Sequence, residues 1–546
     1  MRGFDKASMS KTKDYTGAEL VAETLRTLQV EAIFGIVGIP IVEIAEACIA
    51  IGIRFIAFRN EQSASYAAQA YGYLTGRPGV CLVVGGPGVV HAMAGIVNAQ
   101  VNCWPILVIG GYIETFQKEM GGFQELDHVS LLKPNTKFAA QPPSVDRIPF
   151  ILEKAYRTAF YGRPGPTFVD IPADFIRFKI PPSFTIAKIY SVPDCPKSMA
   201  SPTVIEQAVS RLMNASAPLV VVGKGSAYAR AEAQVRHLIE STQLPFLPTP
   251  MGKGVLPDSH PLNVAAARST AIGAADVVLL LGARLNWILH FGKRPKWRSD
   301  VVFIQVDVSP EELGNNAPGS EIRLLGDVSM VAEQLQHSFA GWKYSTSTPY
   351  VKAIRDSIQK NLASARKLAT SDRIPMSYQV ALTAIRDGLA HEDIVYVSEG
   401  ANTMDISRAI FDVQEPRRRI DAGTFATMGV GMGYAIAGIL PTFYPLKHVT
   451  AQVANPTKKV VAIVGDSAFG FSAMEIETAV RSDLPLLVFV INNNGIYFGL
   501  DASQYSRANP LPSTALSPDT RYDLIAEVWI VSESRSDCRL AVVEVS

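Results

Sequence analysis

The sequence predicts an α/β protein of three doubly wound parallel-sheet domains, and three observations carry that prediction. Short apolar runs rich in Val, Ile and Leu alternate with helical stretches along nearly all of the 546 residues. The runs end in polar, glycine-bearing turns, the pattern of strands buried on both faces of a parallel sheet. Two stretches break the alternation: residues 181–202, carrying Pro181, Pro182, Pro193, Pro196 and Pro202, and residues 340–376, a linker with one helix. They divide the chain into domains expected at 14–185, 200–340 and 374–546, in keeping with ~100–200 residues per domain.

Composition narrows the function classes. Hydrophobic residues make up 48% and charged residues 18%, and the formal net charge is +1, so no basic surface for nucleic acid is expected. No apolar run is long enough to span a membrane, and residues 1–14 have no apolar segment of the secretory kind. Five scattered cysteines (Cys48, Cys81, Cys103, Cys195, Cys538) suit a reducing intracellular compartment and no zinc site.

In the N-terminal third a helix is expected at Gly17–Leu28, a strand at Ala32–Ile36, and a strand at Arg54–Phe58 that ends in Arg59-Asn60-Glu61. An Ala-rich helix follows Glu61. The strand Val80–Val84 turns through Gly85-Gly86-Pro87-Gly88 into a helix at Val89–Asn98. A strand at Ile106–Ile109 comes next, and Gly162-Arg163-Pro164-Gly165-Pro166 introduces Thr167–Pro172. Glu61, at a strand end and a helix start, is either a carboxylate favoured by the helix dipole or a functional acid. His91 and His128 are acid–base candidates or structural histidines. Gln124 lies in a glycine-flanked loop, Gly121-Gly122-Phe123-Gln124-Glu125, expected to be mobile. It is either a donor to a substrate oxygen or a solvated loop residue.

The middle third repeats strand and turn at Pro218–Gly225, Ala275–Arg284 and Val301–Asp307, a Rossmann-like unit. Gly223-Lys224-Gly225 is not a full dinucleotide fingerprint, because Tyr228 stands where the third glycine belongs. Lys224, Arg284 and Asp307 end three strands and suit phosphate and ribose. The alternative is a purely structural domain.

The most informative stretch is Val460–Tyr497. An apolar strand ends in Gly465-Asp466-Ser467-Ala468, a helix follows at Met474–Arg481, and a second strand, Leu486–Ile491, ends in Asn492-Asn493-Asn494-Gly495. Asp466 and Asn493 offer hard oxygen donors at neighbouring strand ends, the type that holds Mg²⁺ together with a diphosphate. An ordinary βαβ unit with polar turns is the bland alternative.

The Gly465-Asp466 turn, the 27-residue step to Asn493 and the Asn-Asn-x-Gly ending resemble the thiamine diphosphate and magnesium fingerprint of thiamine diphosphate-dependent decarboxylases and lyases. Arg59-Asn60-Glu61, Gly85–Gly88 and Gly162–Pro172 resemble the pyrimidine-binding domain of the same enzymes. Glu399–Asp405, Gly423–Gly433, Gly465–Glu477 and Asn492–Tyr497 are similar to the 2-hydroxyacyl-CoA lyase and oxalyl-CoA decarboxylase group, over roughly residues 14–527. The details at Gly423-Thr424-Phe425, Asn492–Tyr497 and Phe123-Gln124-Glu125 lean to the lyase. The resemblance implies that Glu61 faces N1′ of the aminopyrimidine as a catalytic group, with Gln124 beside it. It places Ala401, Asn402, Thr403, Ala426, Thr427, Met428, Ser467, Ala468 and Tyr497 against the cofactor. Asp466, Asn493 and the Gly495 carbonyl would bind Mg²⁺. In relatives that act on CoA thioesters the middle domain binds an ADP moiety, which Arg163, Lys224, Arg284 and Asp307 would meet here, with Arg408 facing CoA. A homodimer or homotetramer follows from the same resemblance, as do an acyl-CoA substrate, fatty acid alpha-oxidation and a peroxisomal or cytoplasmic location.

Two stretches depart from the group. Residues 441–459 form a longer, irregular insert. After Glu527 the group-like text stops, and Glu544-Val545-Ser546 is not an S-K-L type ending. Three rivals to the lyase therefore stand at this stage: an oxalyl-CoA decarboxylase, an acetolactate-synthase-like carboligase with a flavin, and an inactive paralogue.

Overall fold

The computed structural model describes residues 15–181, 183, 186, 188–317, 319, 322–443, 458–497, 499–500, 505, 510–518, 520–529 and 541–545. They form two compact units, Met1–Cys195 with Thr424–Glu544, and Pro196–Gly423 with Val545–Ser546.

The first unit contains a six-stranded sheet that is parallel throughout. Its order is Arg54–Ala57, Ala32–Gly35, Gly79–Val83, Ile106–Tyr112, Pro166–Pro172, Phe138–Ala140. Four of these strands are buried at every residue, as expected for a sheet covered on both faces. The helix Glu61–Thr75 is buried from Ser63 to Leu74. Small residues let it be approached closely: a Cβ on Gly95 would lie 2.0 Å from Ser65 Oγ, and one on Gly433 would lie 2.7 Å from the Ser63 carbonyl. The helix after Gly86 begins at Pro87 and runs to Asn102, longer at both ends than the expected Val89–Asn98. Proline at its first position keeps a φ already suited to the helix.

The same unit holds the parallel pair Lys459–Gly465 and Leu487–Ile491 with the helices Asp466–Gly470 and Glu475–Arg481 between them. The helix Gly431–Phe443 continues through Pro441, so the expected insert begins later than residue 441. Residues 444–457 of that insert, and 530–540 of the atypical tail, lie outside the described residues.

In the second unit five parallel strands run in the order Phe246–Pro248, Pro218–Val222, Val277–Leu281, Val302–Asp307, Arg323–Leu325. Their core is dominated by Val, Leu and Ile at near-zero exposure. A further parallel pair, Ile394–Glu399 with Arg419–Asp421, belongs to this unit. No helix among the described residues is long and apolar enough to cross a membrane.

Candidate functional site

Asp466 sits at the carboxyl end of the strand Lys459–Gly465 and opens a short helix. Its side chain is 4% exposed. Oδ1 accepts from the Ser467 N–H at 2.8 Å, and Oδ2 accepts from the Asn493 N–H at 3.2 Å. Burial pushes its carboxyl above the usual range against those backbone donors. Asn493 follows the neighbouring strand, and its Oδ1 accepts from the Gly495 N–H at 3.1 Å. The structure therefore brings Asp466, Asn493 and Gly495 to one pair of strand tips. Among the described residues no group of three or more His, Cys, Asp or Glu could hold a metal. A cation at this tip would thus depend on amide and backbone oxygens as well as the one carboxylate. Ser467 is half-buried and Ala468 buried beside Asp466, and Tyr497 is 61% exposed.

The turn Thr424–Gly429 is tied to the helix Pro87–Asn102. The Asn98 amide donates to Thr427 Oγ1 at 2.6 Å, and the Thr424 N–H donates to Asn102 Oδ1 at 2.8 Å. Ala426 in this turn has a φ of 57° and, like Met428, is not buried. Ala401, Asn402 and Thr403 open the helix Ala401–Ile410 of the other unit, and only Thr403 of the three is buried.

Glu61 is the first residue of the helix Glu61–Thr75, where Asn60 caps the helix by accepting from the Gln62 N–H at 2.8 Å. A carboxylate there gains from the helix dipole, so the bland expectation holds locally. Its Oε2 lies 3.1 Å from His91 Nδ1, with side-chain exposures of 14% for Glu61 and 59% for His91. That contact has no local signature, since the two residues belong to different helices.

Glu475 was not singled out in the sequence at all. It is nearly inaccessible, accepts from the Arg59 N–H at 3.2 Å and from Thr478 Oγ1 at 2.6 Å, and is pushed up to about 7 by burial. It thus holds the turn that carries Glu61. Nothing in the sequence separates it from the half-buried Glu477, two residues on, which pairs with Arg481 at 2.8 Å.

Gln124 has a φ of 60° and is half-buried. The loop before it is tied to the Glu125 carboxylate. Glu125 accepts three backbone N–H bonds, from Glu119 at 2.5 Å, Gly121 at 2.8 Å and Gly122 at 2.9 Å. These donors hold its carboxyl below the usual range.

In the second unit Lys224, Arg284 and Asp307 follow or end three adjacent parallel strands, so they share one sheet edge. Gly223 and Gly225 have a packing reason: a Cβ on Gly223 would lie 2.1 Å from the Gly282 carbonyl, and one on Gly225 2.8 Å from Gly282 Cα. Asp307 accepts from the Ser309 N–H at 2.9 Å. Arg408 is committed to acids, Asp405 at 2.6 Å and buried Asp421 at 3.1 Å. Arg163 is a half-buried residue of the first unit, in the turn before Pro166–Pro172.

Three family matches cover most of the chain. They are the thiamine pyrophosphate enzyme N-terminal TPP binding domain at residues 15–131, the central domain at 205–335 and the C-terminal TPP binding domain at 399–527. The chain is similar to 2-hydroxyacyl-CoA lyase 1 of Mus musculus, 47% identical over 519 residues, covering 93% of this chain and 87% of the relative. It is 47% identical over 522 residues to 2-hydroxyacyl-CoA lyase 1 of Homo sapiens, with 93% and 88% covered. Oxalyl-CoA decarboxylase of Escherichia coli (strain K12) is 40% identical over 528 residues, with 94% and 89% covered. With three domain matches and this breadth of likeness, the chain belongs to the 2-hydroxyacyl-CoA lyase and oxalyl-CoA decarboxylase group of the thiamine diphosphate-dependent enzymes.

Proposed function

We propose that this protein is a thiamine diphosphate- and magnesium-dependent lyase that cleaves the C1–C2 bond of a 2-hydroxyacyl-CoA to formyl-CoA and an aldehyde. The observation that carries the reading is the buried Asp466 carboxylate joined to the backbone of Asn493 at the neighbouring strand tip. A carboxylate raised by burial, with the Asn493 side-chain amide at the neighbouring strand tip, fits a hard divalent cation, which would compensate the charge that burial disfavours. Asp466, the Asn493 amide oxygen and the Gly495 carbonyl would hold Mg²⁺. Ser467, Ala468, Tyr497 and the Ala426–Met428 turn would face the cofactor. Lyase is preferred to oxalyl-CoA decarboxylase on the names of the more similar relatives.

When bound, the cofactor supplies a carbon nucleophile for the thioester carbonyl and an electron sink for the breaking C1–C2 bond. Everything else falls to the chain. The Glu61 carboxyl holds a proton at N1′ of the aminopyrimidine, from a helix start that His91 and Glu475 keep in place. The Gln124 amide donates to a substrate oxygen near the bond that breaks. Lys224, Arg284 and Asp307 receive the nucleotide end of CoA or an ADP-like molecule. Arg408 is left out of this set because Asp405 and Asp421 already engage it. A dimer or tetramer is part of the proposal.

The test supplies magnesium and thiamine diphosphate with either a 2-hydroxyacyl-CoA or oxalyl-CoA, and measures formyl-CoA. Formyl-CoA with an equimolar aldehyde from the first substrate is expected. Formyl-CoA from oxalyl-CoA alone would replace lyase by decarboxylase. None from either would overturn the assignment.

A further inference from the structure

Behind the turn Gly85–Gly88 lies a buried polar chain that the proposed mechanism does not use. His128 is fully buried and Asp170 is 2% exposed. His128 Nδ1 is 3.1 Å from both carboxylate oxygens of Asp170, while its Nε2 is 2.7 Å from the Gly86 backbone nitrogen. The Gly86 N–H is only a donor, so Nε2 must accept, and the ring proton therefore sits on Nδ1, donated to Asp170. Gly86 holds a φ of 51°, a conformation that side-chain-bearing residues rarely adopt.

That turn touches both proposed reacting residues. A Cβ on Gly86 would lie 2.8 Å from the Gln124 carbonyl oxygen, and one on Gly88 would lie 3.7 Å from Glu61 Oε1. Gly86 also caps the helix Pro87–Asn102, which carries His91 to Glu61. One hydrogen bond from the core thus bears on Gln124, Glu61 and His91 together.

We propose that the Asp170–His128 pair is a positioning clamp: through the Gly86 N–H it fixes the Gly85–Gly88 turn and so the placement of Gln124 relative to Glu61. The proposal rests on the assignment of Glu61 and Gln124 given above. His128 and Asp170 are positioning residues, since neither reaches the reacting atoms. The clamp works with one tautomer only. A second proton on the ring would sit on Nε2, turn that acceptor into a donor facing the Gly86 N–H, and open the clamp. The groups around the ring are Asp170 on the strand Pro166–Pro172, Asp127 on the preceding turn, and Tyr112 on Ile106–Tyr112, at 5.9 Å and edge-on. Phe168 adds an apolar face at 6.1 Å, and Glu119 and Glu125 approach from the loop side of Tyr112. Burial pushes the Asp170 carboxyl up to about 6 against the opposing effect of His128.

Two variants of the full-length enzyme test this. In His128→Gln the amide oxygen can accept from Gly86 and the amide nitrogen can donate to Asp170. The double variant His128→Leu/Asp170→Asn removes the clamp without leaving a lone buried carboxylate. Amide hydrogen exchange is measured for segments 85–88 and 119–125 in the cofactor-free protein, and kcat and KM with cofactor. The double variant is expected to raise exchange in both segments and to lower kcat by about tenfold with little change in KM. His128→Gln is expected to restore both to within about twofold of wild type. Unchanged exchange in the double variant, or failure of Gln to restore it, overturns the clamp. Raised exchange with undiminished kcat upholds the clamp and overturns the catalytic reading of Gln124.

Discussion

Asp466 and Glu61 are the two carboxylates on which the functional reading turns, and they are built in opposite ways. The surroundings of Asp466 come from one stretch of chain, since its second partner, Asn493, is 27 residues on. Glu61 takes its surroundings from far apart: His91 is 30 residues on, and Glu475, which holds the adjoining Arg59, is 416 residues away from it. Groups brought together by one βαβ unit keep a constant spacing and can be read as a motif. Groups brought together by packing leave no spacing at all.

The sharpest way to break this comparison is to remove each carboxylate and read two quantities. Glu61→Gln keeps shape and one acceptor oxygen but cannot give up the proton. Turnover is expected to fall about 10³-fold, within the range of acid–base groups, while calorimetry still shows magnesium and thiamine diphosphate binding near wild-type affinity. Asp466→Ala is expected to weaken that binding by about 100-fold, and with it turnover at limiting cofactor. If both variants lost binding equally, or if Glu61→Gln stayed active, the division between a proton-handling end and a cofactor-holding end would be wrong.

The same contrast explains what was legible beforehand. Alternating apolar runs gave the parallel sheets, and strand boundaries such as Val302–Asp307 agreed with expectation to one residue, because buried strands are uniformly apolar. Lys224, Arg284 and Asp307 were placed together from sequence since strand ends in a parallel sheet share an edge. Arg408 pairs with the buried Asp421, and an arginine that neutralises such an acid looks the same in sequence as one that faces a ligand. Glu475 and the His128–Asp170 pair were missed as structural elements, since burial of an acid by distant segments has no local signature.

Glu475 gives an intermediate effect, read as stability against pH. Its carboxyl is raised by burial from the model-peptide range near 4.5 to about 7 in the folded protein. The unfolded chain therefore releases this proton first. Below about pH 4.5 both states hold it and nothing is lost, whereas stability falls as pH rises through 7. A Gln at this position has no proton to lose. Between about pH 5 and pH 8, wild type is expected to lose on the order of 3 kcal/mol relative to Glu475→Gln, measured by urea unfolding of the full chain. Parallel stability curves for the two proteins would show that the acid titrates alike folded and unfolded.

The smallest effect is expected at His91, and it separates contact from catalysis at the Glu61 end. His91 touches the Glu61 carboxylate but is 59% exposed, so solvent screens the interaction and holding two side chains in one geometry offsets much of its gain. Glu61 is also held independently, by its position at the start of a buried helix whose preceding turn Glu475 fastens. His91→Asn is therefore expected to change kcat by no more than about threefold and to leave the pH dependence of kcat in shape. A loss approaching that of Glu61→Gln would assign His91 a proton of its own and make the Glu61 end a two-residue device. A loss confined to KM would place the imidazole against substrate instead.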